Sequence, residues 1–185
     1  MYSTAEFRRG LRIEIDGKPY VIVEFQHVKP GKGGAFVRTK LKNLETGQVL
    51  EQTFRSGQKV DKPDLEQRFM QYLYQDGEQY VFMDTQTYDQ VFIQGDYLGD
   101  AINYMIPNFE LQVLYFNGRP IGVEMATAVV LEVTSTEPGM KGDTATGATK
   151  PATLETGFVV QVPLFIQEGD KLKIDTRTGE YLERA

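Results

Sequence analysis

The chain reads as an all-β protein made of three small β-barrel domains. Three observations predict this. Short stretches that alternate apolar and polar residues recur along the 185 residues, separated by turn pairs such as Asp16-Gly17, Asp76-Gly77 and Asn117-Gly118. Each block of roughly 60 residues holds about five such stretches, the content of an SH3-like or OB-type barrel. Net charge changes in steps, from +4 over residues 1–64 to −7 over 65–127 and −3 over 128–185. The steps set the expected domains at 1–64, 65–127 and 128–185. Strand spacing alone also fits one large jelly roll. Separate short barrels suit the charge steps better and dispose of exposed sheet edges.

The elements follow in order. Leu11–Ile15 alternates and runs into the Asp16-Gly17 turn, with Tyr20–Phe25 as its partner strand. Ala35–Leu41 and Val49–Phe54 are the next two strands, with Thr46-Gly47 in the turn between them. Val60 and Pro63 mark a junction. Phe69–Tyr74, Tyr80–Met83 and Tyr88–Ile93 open a second series. Leu98, Ile102 and Met105 stand at helical spacing, which predicts one short helix over 96–105 despite Gly99. Leu111–Phe116 and Ile121–Met125 form a hairpin about Asn117-Gly118. A third series comprises Val129–Val133, Phe158–Val162, Lys171–Ile174 and Tyr181-Leu182. Pro107, Pro120, Pro138, Pro151 and Pro163 are read as lying outside central strands. No internal repeat is evident.

Composition excludes several chemistries. With no cysteine there is no disulfide, thiolate nucleophile or cysteine zinc site. His27 is the single histidine, too few for a multi-histidine metal centre and a poor basis for a Ser-His-Asp triad. No metal and no cofactor is expected. No apolar run approaches ~18 residues, so no membrane contact is expected. The opening MYSTAEFRRG lacks a secretory apolar stretch, and the expected compartment is the cytoplasm.

The strongest local feature lies between Glu24 and Glu45. Lys29, Lys32, Arg38, Lys40 and Lys42 occur there without one acid, although the chain as a whole carries −6. Clustered cations gain from counterion release on phosphates, but a solvated basic hairpin has the same composition. Within the cluster, Pro30 fixes its own φ and Gly31, Gly33 and Gly34 open conformations closed to other residues. Lys32 is thereby expected at the tip of a loop joining two strands. The spacing is not that of a P-loop, and no helix follows. A phosphate or RNA contact and a merely solubilising lysine both fit the loop as read from its residues.

KPGKGGAFVRTKLKNLETG resembles the N-terminal domain of the bacterial translation elongation factor P family. FRRGLRIEIDGKPYVIVEFQHVKPGKG resembles the family's opening, and KPATLETGFVVQVPLFIQEGDKLKIDTRTGEYLER its C-terminal signature, so the likeness spans the chain. It implies an SH3-like (KOW-like) N-terminal barrel followed by two OB-fold barrels. It implies a translation elongation factor that binds the ribosome between the peptidyl-tRNA and exit sites. Such a factor relieves stalling at consecutive prolines and is not itself an enzyme. On that likeness Lys32 reaches toward the acceptor end of a prolyl peptidyl-tRNA and is the position that a modifying enzyme extends. Lys29, Arg38, Lys40 and Lys42 then meet the RNA backbone. Gly142-Asp143-Thr144 matches a loop that approaches exit-site messenger RNA, and Arg177 in DTRTGEY matches one that faces the small subunit and its ribosomal RNA. A Gly/Thr turn and a plain Thr178-Gly179 hairpin explain the same two loops without the likeness.

Other readings are weaker. A generic single-stranded nucleic-acid-binding OB protein shares the basic hairpin, but the −7 and −3 blocks suit it less well. Tyr72, Tyr74, Tyr80, Phe82, Tyr88 and Phe92 could stack bases, yet their alternation fits barrel core and rim better. His27 beside the basic loop is either a second-row RNA contact or a simple hairpin residue. No carboxylate pair has a spacing that singles out hydrolysis.

Overall fold

A computed structural model describes residues 1–139 and 148–185. By their internal contacts the residues divide into two compact units. One is Met1–Arg68 with Val113–Gly122, the other Phe69–Gln112 with Val123–Ala185.

The first unit opens with β1 (Tyr2–Ser3), a 3-10 turn at Thr4–Glu6, β2 (Arg12–Ile15), β3 (Lys18–Val28), β4 (Phe36–Asn43), β5 (Val49–Arg55) and β6 (Lys59–Val60). Strands β2-β3-β4-β5 make one antiparallel sheet and β1 pairs with β6. The period-2 pattern decides which faces are buried. Along β4, Val37, Thr39, Leu41 and Asn43 turn inward, while Arg38 and Lys42 are exposed and Lys40 is half-buried. Ile13, Ile22, Val37, Leu41 and Phe54 close the core, with Phe7 edge-on to Phe54 at 5.3 Å between ring centres. Each such buried side chain contributes roughly 1.5–3 kcal/mol of transfer free energy. Leu114, Phe116 and Ile121 pack separately on Leu44 and Leu65.

Next come β7 (Leu65–Asp76), β8 (Gln79–Asp84), β9 (Gln90–Gln94), β10 (Glu110–Phe116) and β11 (Arg119–Glu124), in the sheet order β11-β10-β7-β8-β9. The unit boundaries fall inside β7, β10 and β11. The short helix expected over 96–105 is instead two 3-10 turns, Gly95–Tyr97 and Gly99–Asn103. Gly99 at φ +54° interrupts any α-helix, and the backbone bonds run three residues back, from Leu98 to Gly95, Ala101 to Leu98 and Tyr104 to Ala101.

In the second unit β12 (Ala128–Thr136), β13 (Thr149–Leu154), β14 (Val159–Pro163), β15 (Lys171–Asp175) and β16 (Tyr181–Arg184) form a sheet ordered β14-β13-β12-β15-β16. Strand β13 escapes the sequence reading because it contains Pro151. Proline is accommodated there because the last β12–β13 pair is Thr136↔Ala152. The Pro151 carbonyl faces β12 one position beyond it, taking a bond from Thr136 Oγ1 at 2.9 Å, where no ladder N–H is required. Pro120 and Pro163 lie on β11 and β14, the edge strands of their sheets. The core of this sheet also takes in Tyr104, with Ile106, Phe109 and Met125 packed against it. Tyr104, Ile106, Phe109 and Met125 thus reach this core from sequence positions before β12.

Among the described residues one hairpin occurs three times. In Asn43–Gly47, Asp84–Tyr88 and Asp175–Gly179 the first residue's Oδ1 accepts from the backbone N–H groups two and three residues on. Its carbonyl accepts from the fifth residue, and the threonine at position four accepts from the N–H of the sixth. The fifth residue is left-handed each time, Gly47 at +76°, Tyr88 at +64° and Gly179 at +77°. Tyr88 therefore belongs to the turn and not to the strand expected from Tyr88 to Ile93.

Candidate nucleic-acid interface

β3 and β4 are the longest pair of the first sheet, and their register ends at Val28↔Phe36. The connection, residues 29–35, projects beyond it. Lys29, Pro30, Gly31, Lys32, Gly33 and Gly34 are all exposed, so Lys32 stands at a solvent-facing tip as expected. Of the three glycines only Gly33 occupies the left-handed region, at φ +96°. A Cβ on Gly31 or Gly34 would meet nothing within 4 Å, so those two leave room around the tip without being required by its backbone.

The other basic residues follow from the pleat. Arg38, Lys40 and Lys42 share the outer face of β4, each lying between residues of β3 and β5. Their surroundings differ. Lys40 sits between Glu24 and Glu51 in register, with Nζ 3.8 Å from a Glu24 carboxylate oxygen. Lys42 lies between Val21 and Val49, and Arg38 between Gln26 and Thr53, with its guanidinium 5.9 Å from the centre of the Phe36 ring. Glu24, Glu51 and Arg9 join Arg38 and Lys40 around one shallow groove. The acid-free sequence from 25 to 44 thus gains two carboxylates from neighbouring strands. Only the strand register reveals them. Exposed His27 stands edge-on to Phe25 at 5.8 Å on this hairpin.

In the second unit Arg177 occupies position three of the third repeated hairpin. Asp175 Oδ1 accepts from the Arg177 and Thr178 N–H groups, while the Arg177 guanidinium donates to both Asp175 oxygens at 3.2–3.4 Å. These bonds hold the Asp175 carboxyl below the usual carboxylate range and raise the guanidinium. The Arg177 side chain is still 72% exposed. Around this hairpin Thr176 Oγ1 donates to the Ala126 carbonyl and Thr156 Oγ1 to that of Asn103, both at 2.6 Å. Buried Tyr104 lies beneath Gly179, its hydroxyl pushed up by burial and then by Asp100 and Asp175. Gly142, Asp143 and Thr144 lie outside the described residues. Among the described residues no group of three or more histidines, cysteines or carboxylates is placed to hold a metal. No helix among them is long and apolar enough to cross a membrane.

Comparison with known proteins covers nearly the whole chain. Residues 3–60 match the elongation factor P KOW-like domain, 65–123 the elongation factor P OB domain, and 129–184 the elongation factor P C-terminal domain. Elongation factor P of Moorella thermoacetica is 60% identical over 185 residues, covering all of both chains. That of Pelotomaculum thermopropionicum is 59% identical over 184 residues, again covering both in full. Among solved structures, eukaryotic translation initiation factor 5A from Methanococcus jannaschii superposes with a TM-score of 0.54 at 26% identity, over 66% of this chain and 94% of its own.

Proposed function

Because this chain belongs to the elongation factor P family of translation elongation factors, we propose that it binds the ribosome between the peptidyl-tRNA and exit sites and speeds peptide-bond formation at consecutive prolines. Exposed Lys32, set between glycines at the end of the β3–β4 pair, is the observation that supports this reading. An ammonium there can contact phosphate or ribose at the acceptor end of the peptidyl-tRNA without exchanging the reacting proton. Proline's ring restricts the geometry of attack, and a fixed acceptor end restores an attack-ready arrangement. Catalysis stays with the ribosome, so the protein acts by positioning and not as an enzyme.

Lys29, Arg38 and Lys42 contact RNA backbone in this reading. Lys40 contributes less because Glu24 already engages it. Lys32 is open on all sides to an enzyme that would extend it. Arg177 faces the small subunit, and Gly142-Asp143-Thr144 approaches exit-site messenger RNA. The working modules are 1–64, 65–127 and 128–185, and the compartment is the cytoplasm.

The test is single-turnover peptide formation on a Pro-Pro template and on a proline-free template, with and without the protein. Stimulation confined to the Pro-Pro template is expected. Equal effects on both templates, or none, would sink the reading.

A further inference from the structure

Strand β13 carries a charge on the face that builds the core of its sheet. Lys150, Ala152 and Leu154 alternate inward along it, and Lys150 is only 8% exposed. Its register partner on β14, Val162, is fully buried. Lysine is almost never buried in this way unless its ammonium is partnered. The Lys150 ammonium donates to the Glu137 carbonyl, and among the described residues it makes no ion pair. An ammonium has three N–H donors, so two are left for a ligand.

Lys150 lines a cavity of about 670 Å³, within the range of small-ligand sites, about 300–1,000 Å³. Backbone bonds fix its walls. Leu164, Phe165 and Ile166 come from the turn after β14, where Ile166 N–H bonds the Pro163 carbonyl at 3.2 Å and Gln167 N–H the Asp170 carboxylate at 2.9 Å. Gly139 lies against this turn so closely that a Cβ would come within 2.6 Å of the Leu164 carbonyl oxygen. Ile166 is fully buried, whereas Phe165 is 57% exposed, with the Arg184 guanidinium 5.5 Å from its ring centre. Exposed Glu137 and Glu168 belong to the lining too.

Two carboxylates beside one ammonium disfavour an anion and suit an uncharged ligand that both accepts and donates hydrogen bonds. Apolar walls with an exposed ring suit a flat one, since any base can stack on an aromatic face. A nucleobase has both properties, and cytosine offers a ring carbonyl to an ammonium and an amine to a carboxylate. We propose that this cavity takes one nucleobase of single-stranded RNA, laid against Phe165 and hydrogen-bonded to Lys150. The RNA source rests on the ribosomal reading above, whereas the recognition of a base does not.

The full chain, labelled with ¹⁵N, is titrated separately with cytidine, with a single-stranded cytidine tetranucleotide and with ribose 5-phosphate, following the amides of Ile166, Gln167 and Glu168. Cytidine and the tetranucleotide should shift these amides saturably, and ribose 5-phosphate should not. Phe165→Ala should weaken cytidine binding by about fivefold or more, the loss of one stacked base. Lys150→Met keeps the length of the side chain but removes its donors, and should weaken it by about tenfold or more. If Lys150→Met fails to fold, Phe165→Ala, at an exposed side chain, carries the test. Saturable shifts with cytidine but not with the tetranucleotide would keep the base site and overturn its RNA source. Equal shifts with ribose 5-phosphate would make it an anion site and overturn the proposal. Absence of shifts with cytidine, or affinity unchanged in the folded variants, would overturn it as well. The titration needs no ribosome, so its failure is separate from failure on the Pro-Pro template.

Discussion

The Asp175 carboxylate grips the Arg177 guanidinium with both oxygens while one of them also caps the hairpin backbone. Asn43 performs the same backbone capping in the first hairpin with an uncharged amide. The turn therefore needs an oxygen acceptor, and the negative charge at 175 has a separate use, which is to hold Arg177 in one orientation.

Asp175→Asn is accordingly expected to keep the turn and release the guanidinium. Ribosome affinity should fall toward that of Arg177→Ala, while the melting temperature at pH 7 falls only by the charge-dependent share that acid also removes from the parent. A large loss of melting temperature with Arg177-dependent binding intact would reverse the assignment.

The same carboxyl sets a pH dependence. Its folded value is depressed, so its stabilising contribution is fully present above the unfolded value of about 3.9 and is lost as pH falls through the folded value. Between pH 5 and 8 this group contributes no slope. Thermal melts from pH 5 down to pH 2 should show an acid-side loss that is smaller in Asp175→Asn, and parallel curves for both proteins would remove Asp175 as its source.

The repeated hairpin gives an internal control for glycine. Gly47 and Gly179 have nearly equal φ, +76° and +77°. A Cβ at Gly47 would meet nothing within 4 Å, whereas one at Gly179 would come within 3.2 Å of the Phe158 ring and 3.3 Å of the Tyr104 hydroxyl. Gly47→Ala should cost about 1–2 kcal/mol from the left-handed backbone alone. Gly179→Ala should cost roughly 1–3 kcal/mol more from overpacking, measured by urea unfolding. Equal costs would show that Phe158 and Tyr104 yield freely.

The outer face of β4 predicts unequal roles for two lysines. Lys42 has valines as its register neighbours, but Lys40 has glutamates on both sides. Lys42→Gln should lower the slope of log ribosome affinity against log salt by about one unit, and Lys40→Gln by clearly less. A larger change for Lys40 would mean that Glu24 gives way on docking.

Much of this was legible in the sequence, because alternation and turn pairs are local signals. The strand of Arg38 and Lys40 follows from the alternation read over 35–41, which stops short of Lys42, and the exposure of Lys32 follows from the proline- and glycine-bearing loop between two strands. What escaped is relational. Glu24 and Glu51 reach Lys40 through register, which a charge count along the chain cannot supply. Strand β13 was hidden because Pro151 is tolerated only where its partner strand has ended. The threefold hairpin was hidden because Tyr88 stands where the other two copies have glycine, and an aromatic residue reads as strand. Tyr104 joins the β12–β16 core from a segment whose charge places it in the middle block.

The last prediction concerns Lys32 itself. It is one exposed cation among several for docking, and exposed charges contribute little each, about 0–1 kcal/mol. It stands midway along the chain between Val28 and Phe36, the last register pair, where the proposed contact with the acceptor end is made. Lys32→Ala should therefore leave ribosome affinity within about threefold of the parent, while slowing Pro-Pro peptide formation by about tenfold, or about 1.4 kcal/mol of activation free energy. A defect in rate at saturating protein is the mark of lost orientation and not of lost binding. Lys32→Arg separates charge from chemistry, since it keeps the cation but blocks extension of the amine. If extension of Lys32 carries the effect, arginine should behave like alanine; if charge alone carries it, arginine should behave like the unextended parent. Intact mass of the native protein, read beside the kinetics, shows which parent is being compared. Full stimulation by Lys32→Ala would reduce the β3–β4 tip to a docking element.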